Sequence, residues 1–359
     1  MKHAGIIGYP VSHSLSPQMH QAAFDALGIE AHYALWETQP AMLAERMASL
    51  RSSEVLGANV TIPFKEDVVP FIDECDPRAM RIGAINTVVN QNGRLVGYNT
   101  DAPGFIQALA GFVSPPFDAR GKRAAILGTG GAARAAAVAL LENGIGELAL
   151  LGRTESHLTA LVHHLQTLVI ERQGVANSDA GGHKGPHPIT TSSQLMEAQG
   201  APKPTEGDHK GPHPTSTSSP ASTATENVPG GECMLVPEVS NRTTHIHGLS
   251  LGSAEADIFL SNADVVVNAT PVGLKAGDAT LLFDINVLPT RALVMDMIFN
   301  PPLTPFLCVA QARGCRVLNG LSMLLYQGAL SFELWTGHSA PIEVMRTALG
   351  LEKGEAYYV

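Results

Sequence analysis

Asn59, Thr61, Lys65, Asn86 and Asp101 bring neutral donors, one ammonium and one carboxylate to the ends of segments that read as strands. Such a set has the donors and acceptors to hold a small polyhydroxylated carboxylate. In "GANVTIP", Asn59 and Thr61 share one strand face, and Val60 and Ile62 take the other. Pro63 ends that strand and Lys65 follows. Asn86 lies in "AINT" and Asp101 in "YNTD", where Asp101 could equally cap the helix beginning near Pro103. In "GYPVSHSLSPQMH", Ser16 stands before Pro17 and reads as an N-cap ahead of proline at the first helical position. Ser14 has no such structural use, so its hydroxyl faces water or something that needs donors. Gln327 sits in "SMLLYQGALSF", a helix apolar on nearly every side. A buried amide there requires partners, either a core network or a ligand.

A second chemistry is written in "AAILGTGGAARAAAVALLENGIGELALLGRT", which runs strand, glycine turn, alanine-rich helix, strand. Gly128 permits the tight turn, Gly130 lets backbone approach a pyrophosphate, and Ala133 is the small residue where helix packs on strand. The helix start would hold phosphate oxygens with backbone N–H groups. The second strand ends in Gly152, Arg153 and Thr154 rather than the acidic residue that binds NAD ribose. Arginine beside a hydroxyl suits the 2′-phosphate of NADP.

The elements that position these groups alternate. "HAGIIGY", "AHYALWET" and "VLGANVTIPF" read as strands; "SPQMHQAAFDALG", "PAMLAERMASLRS" and "KEDVVPFID" read as helices. Asn92-Gly93 in "TVVNQNGRLVGY" signals a hairpin. After the glycine turn, "ADVVVNATPVG", "ALVMDMIFNPPLTPF" and "GCRVLNG" supply further strands, and "GLSMLLYQGALSFELWTG" a long apolar helix. The fold class is α/β: an open α/β substrate domain over residues 1–102, completed by 320–359, and a Rossmann-like doubly wound dinucleotide domain over 103–319. Residues 172–248 are rich in Pro, Ser, Thr, Gly and His and carry an imperfect repeat, "HKGPHPITTSS" and "HKGPHPTSTSS". They read as a long disordered insertion within the second domain. Its four repeat histidines, His183, His187, His209 and His213, fix no ligand geometry, so no metal site is expected.

A length of 359 residues calls for two domains, and a net charge of −10 speaks against nucleic acid or anionic membrane as partner. Cys75, Cys233, Cys308 and Cys315 show no CxxC pair, which reads as reduced thiols in the cytoplasm. No run approaches ~18 apolar residues and the start lacks a signal-peptide pattern. Oligomeric state stays open, a homodimer being one option.

In order and spacing, "GYPVSHSLSPQMH", "NVTIPFK", "GAINT", "NTD", "GTGGAAR", "NATPVG", "TPF" and "GLSMLLYQ" resemble the shikimate dehydrogenases, over nearly the whole chain apart from the insertion. The resemblance implies NADPH-dependent reversible reduction of 3-dehydroshikimate to shikimate. It implies that Ser14 and Ser16 hold the substrate carboxylate, that Thr61, Lys65, Asn86, Asp101 and Gln327 meet ring hydroxyls with Asn59 nearby, and that Lys65 and Asp101 form the catalytic pair. Gly128, Thr129, Gly130, Gly131, Ala132, Arg153, Thr154, Thr270, Met297 and Gly320 would line the NADP site. Three positions depart from the family pattern: Gly152 replaces an asparagine, His157 an arginine, and Phe299 a tyrosine. A quinate/shikimate dehydrogenase using NAD, or a non-catalytic NADP-binding regulator on the same fold, are the alternatives; intact Lys65 and Asp101 speak against the second.

Overall fold

Two six-stranded sheets organise the chain. The computed structural model describes residues 1–111, 113–179 (backbone only over 172–179), 244–275 and 280–351. The first sheet is built from β1 (Lys2–Gly8), α1 (Ser16–Ala26), β2 (Ala31–Glu37), α2 (Leu43–Ser49), β3 (Val55–Val60), β4 (Glu74–Cys75), α3 (Pro77–Ile82), β5 (Thr87–Gln91) and β6 (Arg94–Tyr98). Its order is β2-β1-β3-β5-β6-β4. β1 pairs in parallel with β2 and β3, whereas the β5–β6 hairpin runs antiparallel. Asn92 and Gly93 turn that hairpin at φ 55° and 90°, the left-handed conformation that an Asn-Gly pair adopts readily.

α4 (Asp101–Gly111) leads to the second sheet: β7 (Arg123–Leu127), α5 (Gly131–Glu142), β8 (Glu147–Gly152), α6 (Glu155–Asp179), β9 (His245–Ser250), α7 (Ala254–Leu260), β10 (Val265–Asn268), β11 (Leu293–Asp296), α8 (Pro305–Ala312) and β12 (Arg316–Leu318). All its strand pairs are parallel, in the order β12-β11-β10-β7-β8-β9. The order reverses between β7 and β10, so a crevice opens at the carboxyl ends of those two strands. β10 and β11 are buried along their whole length, which is why they are continuous apolar runs rather than alternating ones. α9 (Leu321–Thr336) and α10 (Ile342–Ala348) then return to the first sheet, where α10 meets α1 and α9 meets β3 and β5. The described residues before 175 and after 243 form one compact unit.

Two expectations need correction. "KEDVVPFID" is not an α-helix but a series of turns with one 3-10 turn at Val69–Phe71, because Pro70 lacks the N–H that a helix would need. The proposed insertion is narrower than 172–248 within the described residues. The backbone of α6 stays helical to Asp179, and residues 245–248 belong to β9, whose modest strand propensity is overridden by its ladder with β8. The repeats and their histidines lie outside the described residues, as does Cys233; Cys75, Cys308 and Cys315 are free thiols. No described helix is long and apolar enough to cross a membrane, and no described group of three metal-ligating side chains converges.

Candidate active site

Asn86 is the centre of the polar network. It directly precedes β5 and is buried, and its Nδ2 donates to Asp101 Oδ1 (2.9 Å), Thr100 Oγ1 (2.8 Å) and Gln327 Oε1 (3.2 Å). The other Asp101 oxygen, Oδ2, lies 2.5 Å from Lys65 Nζ, and both side chains are largely buried. Asp101 does not cap α4. Asn99 does so, its Oδ1 accepting from the Ala102 N–H (3.1 Å), which leaves both Asp101 oxygens for Lys65 and Asn86. Gln327 joins because Gly104 lets α4 and α9 approach closely: a Cβ there would stand 2.8 Å from the Gln327 nitrogen and 2.9 Å from its Cβ. Gln327 Nε2 donates to Leu324 O (2.9 Å), so the amide has protein partners on both sides. Asn59 continues the network through Ser331 Oγ (2.9 Å), itself 2.7 Å from Thr87 Oγ1. Thr61, half-buried, follows directly on β3.

The serine loop differs from expectation in detail. Leu15 occupies the N-cap position of α1, which begins at Ser16, so Ser16 is not the capping side chain. Ser14, one residue before the N-cap, makes a local contact: its Oγ accepts from the Ser16 N–H (3.2 Å), which leaves the Ser14 O–H to donate elsewhere. Ser16 is almost fully buried, with its hydroxyl against that of Tyr33. Tyr33 in turn donates to Asn59 Oδ1 (2.7 Å). The buried His20 ring stacks on Tyr33 at 4.5 Å between centroids, and Trp335 leans on both. Burial drives the His20 imidazole down to about 3; Asn59 is near enough to oppose that shift, yet neither ring nitrogen forms a hydrogen bond. Burial also pushes the Tyr33 phenol well above its usual range.

Beside the Lys65–Asp101 pair opens a cleft of about 390 Å³ at the switch point of the second sheet. Its walls include Lys65, Gly128 through Ala132, Arg153, Thr154 and Thr270, with Leu127, Leu151, Leu251 and Leu282 as apolar surface. Gly128 holds φ +111°, which β-carbon-bearing residues rarely adopt, and a Cβ there would meet Ala269 O at 3.1 Å. At Gly130 a Cβ would have nothing within 4 Å, so the backbone faces open space. The first-turn N–H groups of α5 have no partners within the helix, and Arg153 and Thr154 stand exposed at the end of β8. These features fit a dinucleotide with an additional phosphate. Thr270 is oriented by Asn268, whose Oδ1 accepts from its hydroxyl (2.7 Å) and its N–H (3.0 Å). Met297 and Gly320 do not line this cavity: Gly320 packs on the Met297 backbone where β11 and β12 end.

The two sheets are fastened across this cleft. A Cβ at Gly131 would stand 2.9 Å from the Lys65 Cβ, so the glycine turn and the lysine are in direct contact. Next to Lys65, Glu66 pairs with Arg134 of α5 (3.2 Å). Further along α5, Glu142 takes both Arg78 (3.3 Å) and Arg81 (2.6 Å) of α3. Sequence reasoning missed Tyr33, Thr87, Thr100, Ser331 and these ion pairs. Thr100 adjoins Asp101 and Tyr33 sits at an inward position of an alternating strand, which are usable signals; nothing local marks the others.

Residues 6–88 match the family described as shikimate dehydrogenase substrate binding domain, and residues 320–349 match shikimate 5′-dehydrogenase C-terminal domain. The chain is 35% identical over 346 residues to the NADP(+) shikimate dehydrogenase of Desulforamulus reducens, covering 96% of this chain and 93% of that one. It is 36% identical over 353 residues to the corresponding protein of Moorella thermoacetica, covering 97% and 94%. Among solved structures, the shikimate 5-dehydrogenase of Thermus thermophilus, in complex with NADP(H) and shikimate, superposes with a TM-score of 0.68 at 29% identity, covering 98% of this chain and 99% of that one.

Proposed function

The chain belongs to the shikimate dehydrogenase family, and on that premise we propose that it interconverts 3-dehydroshikimate and shikimate using NADP, with Lys65 and Asp101 as the catalytic pair. The observation that carries this reading is the double membership of Lys65, which pairs with Asp101 at 2.5 Å and also forms part of the wall of the cofactor cleft. The cofactor, when bound, supplies the hydride that the carbonyl carbon accepts. Lys65 delivers a proton to the carbonyl oxygen as negative charge develops there, and recovers one from solvent. Asp101 keeps the ammonium aimed and offsets its charge, and Asn86 fixes the carboxylate by holding its other oxygen. In the oxidative direction Lys65 takes the hydroxyl proton back.

Ser14 donates to the substrate carboxylate with the hydroxyl hydrogen that its contact with the Ser16 N–H leaves free, and Ser16 lies beside it. Asn59, Thr61, Asn86 and Gln327 meet the ring hydroxyls. Gly128 through Ala132 cradle the pyrophosphate, Thr270 flanks the cofactor, and Arg153 with Thr154 reads the 2′-phosphate. Met297 and Gly320, outside the wall of the cleft, pack on each other where β11 and β12 end. In this reading residues 1–102 with 320–359 form the substrate domain and 103–319 the NADP domain, and the free thiols suit the cytoplasm. Gly152 and His157 each remove a cofactor contact that the resemblance leads one to expect, so discrimination between NADP and NAD rests mainly on Arg153; Phe299 removes a hydroxyl contact to the substrate carboxylate.

The test is spectrophotometric: shikimate with NADP, against quinate with NAD. Formation of NADPH with shikimate, lost in Lys65→Ala, is the expected result. Turnover of quinate with NAD alone, or no turnover at all, would overturn the assignment.

A further inference from the structure

Tyr33 is the least expected member of the polar network, since it comes from β2 at the edge of the first sheet and touches neither Lys65 nor Asp101 in any hydrogen bond among the described residues. Its ring is held on two sides, by the parallel stack with His20 and by the tilted contact with Trp335, whose Nε1 is anchored on Val88 O (3.0 Å). A phenol gripped in this way has its hydroxyl fixed at one point. That point lies between Ser16 and Asn59. The phenolic O–H donates to Asn59 Oδ1, so the phenolic oxygen is left to accept, and the Ser16 hydroxyl lies against it. With Oδ1 taken by Tyr33 and Nδ2 by Ser331, the Asn59 amide has a defined orientation.

Resting on the function proposed above, we infer that Tyr33 is a positioning residue for substrate binding: it couples Ser16, at the carboxylate end of the pocket, to Asn59, at the hydroxyl end. His20 acts as the apolar plate beneath it, and its imidazole, kept neutral by burial, puts no charge under the phenol. The ring is needed for its surface and not for its nitrogens, neither of which forms a hydrogen bond. Without the phenolic hydroxyl, Asn59 Oδ1 becomes an unsatisfied buried acceptor and the buried Ser16 hydroxyl loses the polar neighbour beside it, so both ends of the pocket loosen together. A loss of this kind falls on substrate affinity and leaves proton transfer at Lys65 intact.

Tyr33→Phe removes the hydroxyl and keeps the stack. The expected result is a KM for shikimate raised about tenfold, with kcat within a few-fold and KM for NADP unchanged. Thermal stability would register a purely structural role; the split between substrate KM, cofactor KM and kcat would not. The coupling is read separately, in a variant set that leaves Tyr33 in place. Ser16→Ala and Asn59→Ala combined should raise KM for shikimate by clearly less than the product of their single effects. A KM for Tyr33→Phe within twofold of the parent overturns the proposal, and so does strict multiplicativity of the Ser16 and Asn59 effects. Turnover of shikimate with NADP by the unaltered protein tests the underlying reading independently, so failure of one is distinguishable from failure of the other.

Discussion

His20 gives a prediction whose size follows from its surroundings. Its imidazole is fully buried, without a hydrogen bond, and its pKa falls from 6.5 to about 3. The unfolded chain takes up a proton as pH drops through 6.5, and the folded one does not. The depressed value therefore contributes stability that is complete above pH 6.5 and is lost as pH falls toward 3. Linkage makes the loss about 2 kcal/mol between roughly pH 8 and about pH 5. The buried carboxyl of Asp296 has the opposite sign. Desolvation, against hydrogen bonds from Ile298, Thr304 and Asn268, raises its pKa from 3.8 to about 6. Its stability contribution is present below 3.8 and lost as pH rises through 6, so it regains about 1 kcal/mol over the same span and masks His20 in the parent alone. The measurement is a urea unfolding series at both pH values for the parent and for His20→Phe. Whatever the larger ring costs in packing is independent of pH and cancels. The stability gap between the two proteins should shift by about 2 kcal/mol in favour of the variant at the lower pH. A gap that stays constant refutes the reasoning, because it would mean that the folded protein protonates His20 freely.

Lys65→Ala and Asp101→Asn should each lower kcat by about 10²–10⁴ with a much smaller change in KM for shikimate, in steady-state kinetics. Arg153→Ala should raise KM for NADP about tenfold more than KM for NAD; equal losses would mean that the guanidinium does not read the phosphate. Gly131→Ala puts a methyl 2.9 Å from the Lys65 Cβ and 3.2 Å from that of Ala84, so kcat should fall with the ammonium displaced while the melting temperature moves little. Asp296→Asn should remove the part of the stability curve that declines between about pH 4 and about pH 6, seen in the same urea series.

Much of this arrangement is legible in the order of residues alone. The switch-point cleft follows from "GTGGAA" between two apolar runs, because a glycine turn opening a helix after a buried strand has few other uses. The hairpin at Asn92-Gly93 follows from the left-handed conformation those two residues tolerate. Lys65 and Asp101 can be nominated, but their 2.5 Å pairing joins the turns after β3 to the start of α4, and Gln327 reaches Asn86 only where α4 packs closely on α9 at Gly104. Ser16 starts α1 without capping it, since backbone geometry one residue either side of a helix start cannot be read from composition. β9 reads as insertion because an edge strand is defined by its neighbour's ladder more than by its own residues. Tyr33, Ser331 and the Glu142 pairs are fixed by tertiary contacts that local sequence does not encode.

The distance along the chain between network partners bears on how the protein is born. Asn59 meets Ser331 across 272 residues, and Asn86 meets Gln327 across 241. The first sheet emerges early from the ribosome, yet α9, which supplies both of those partners, is made almost last. Until then Asn59 and Asn86 lack the partners that α9 supplies, and the apolar face that α9 will cover stays open. The entire second sheet must be synthesised in the meantime, so the nascent chain carries an unfinished first lobe through most of translation. Folding of the pocket is thereby tied to completion of the whole polypeptide, and a truncated product that lacks α9 can present the glycine turn but not a closed substrate site.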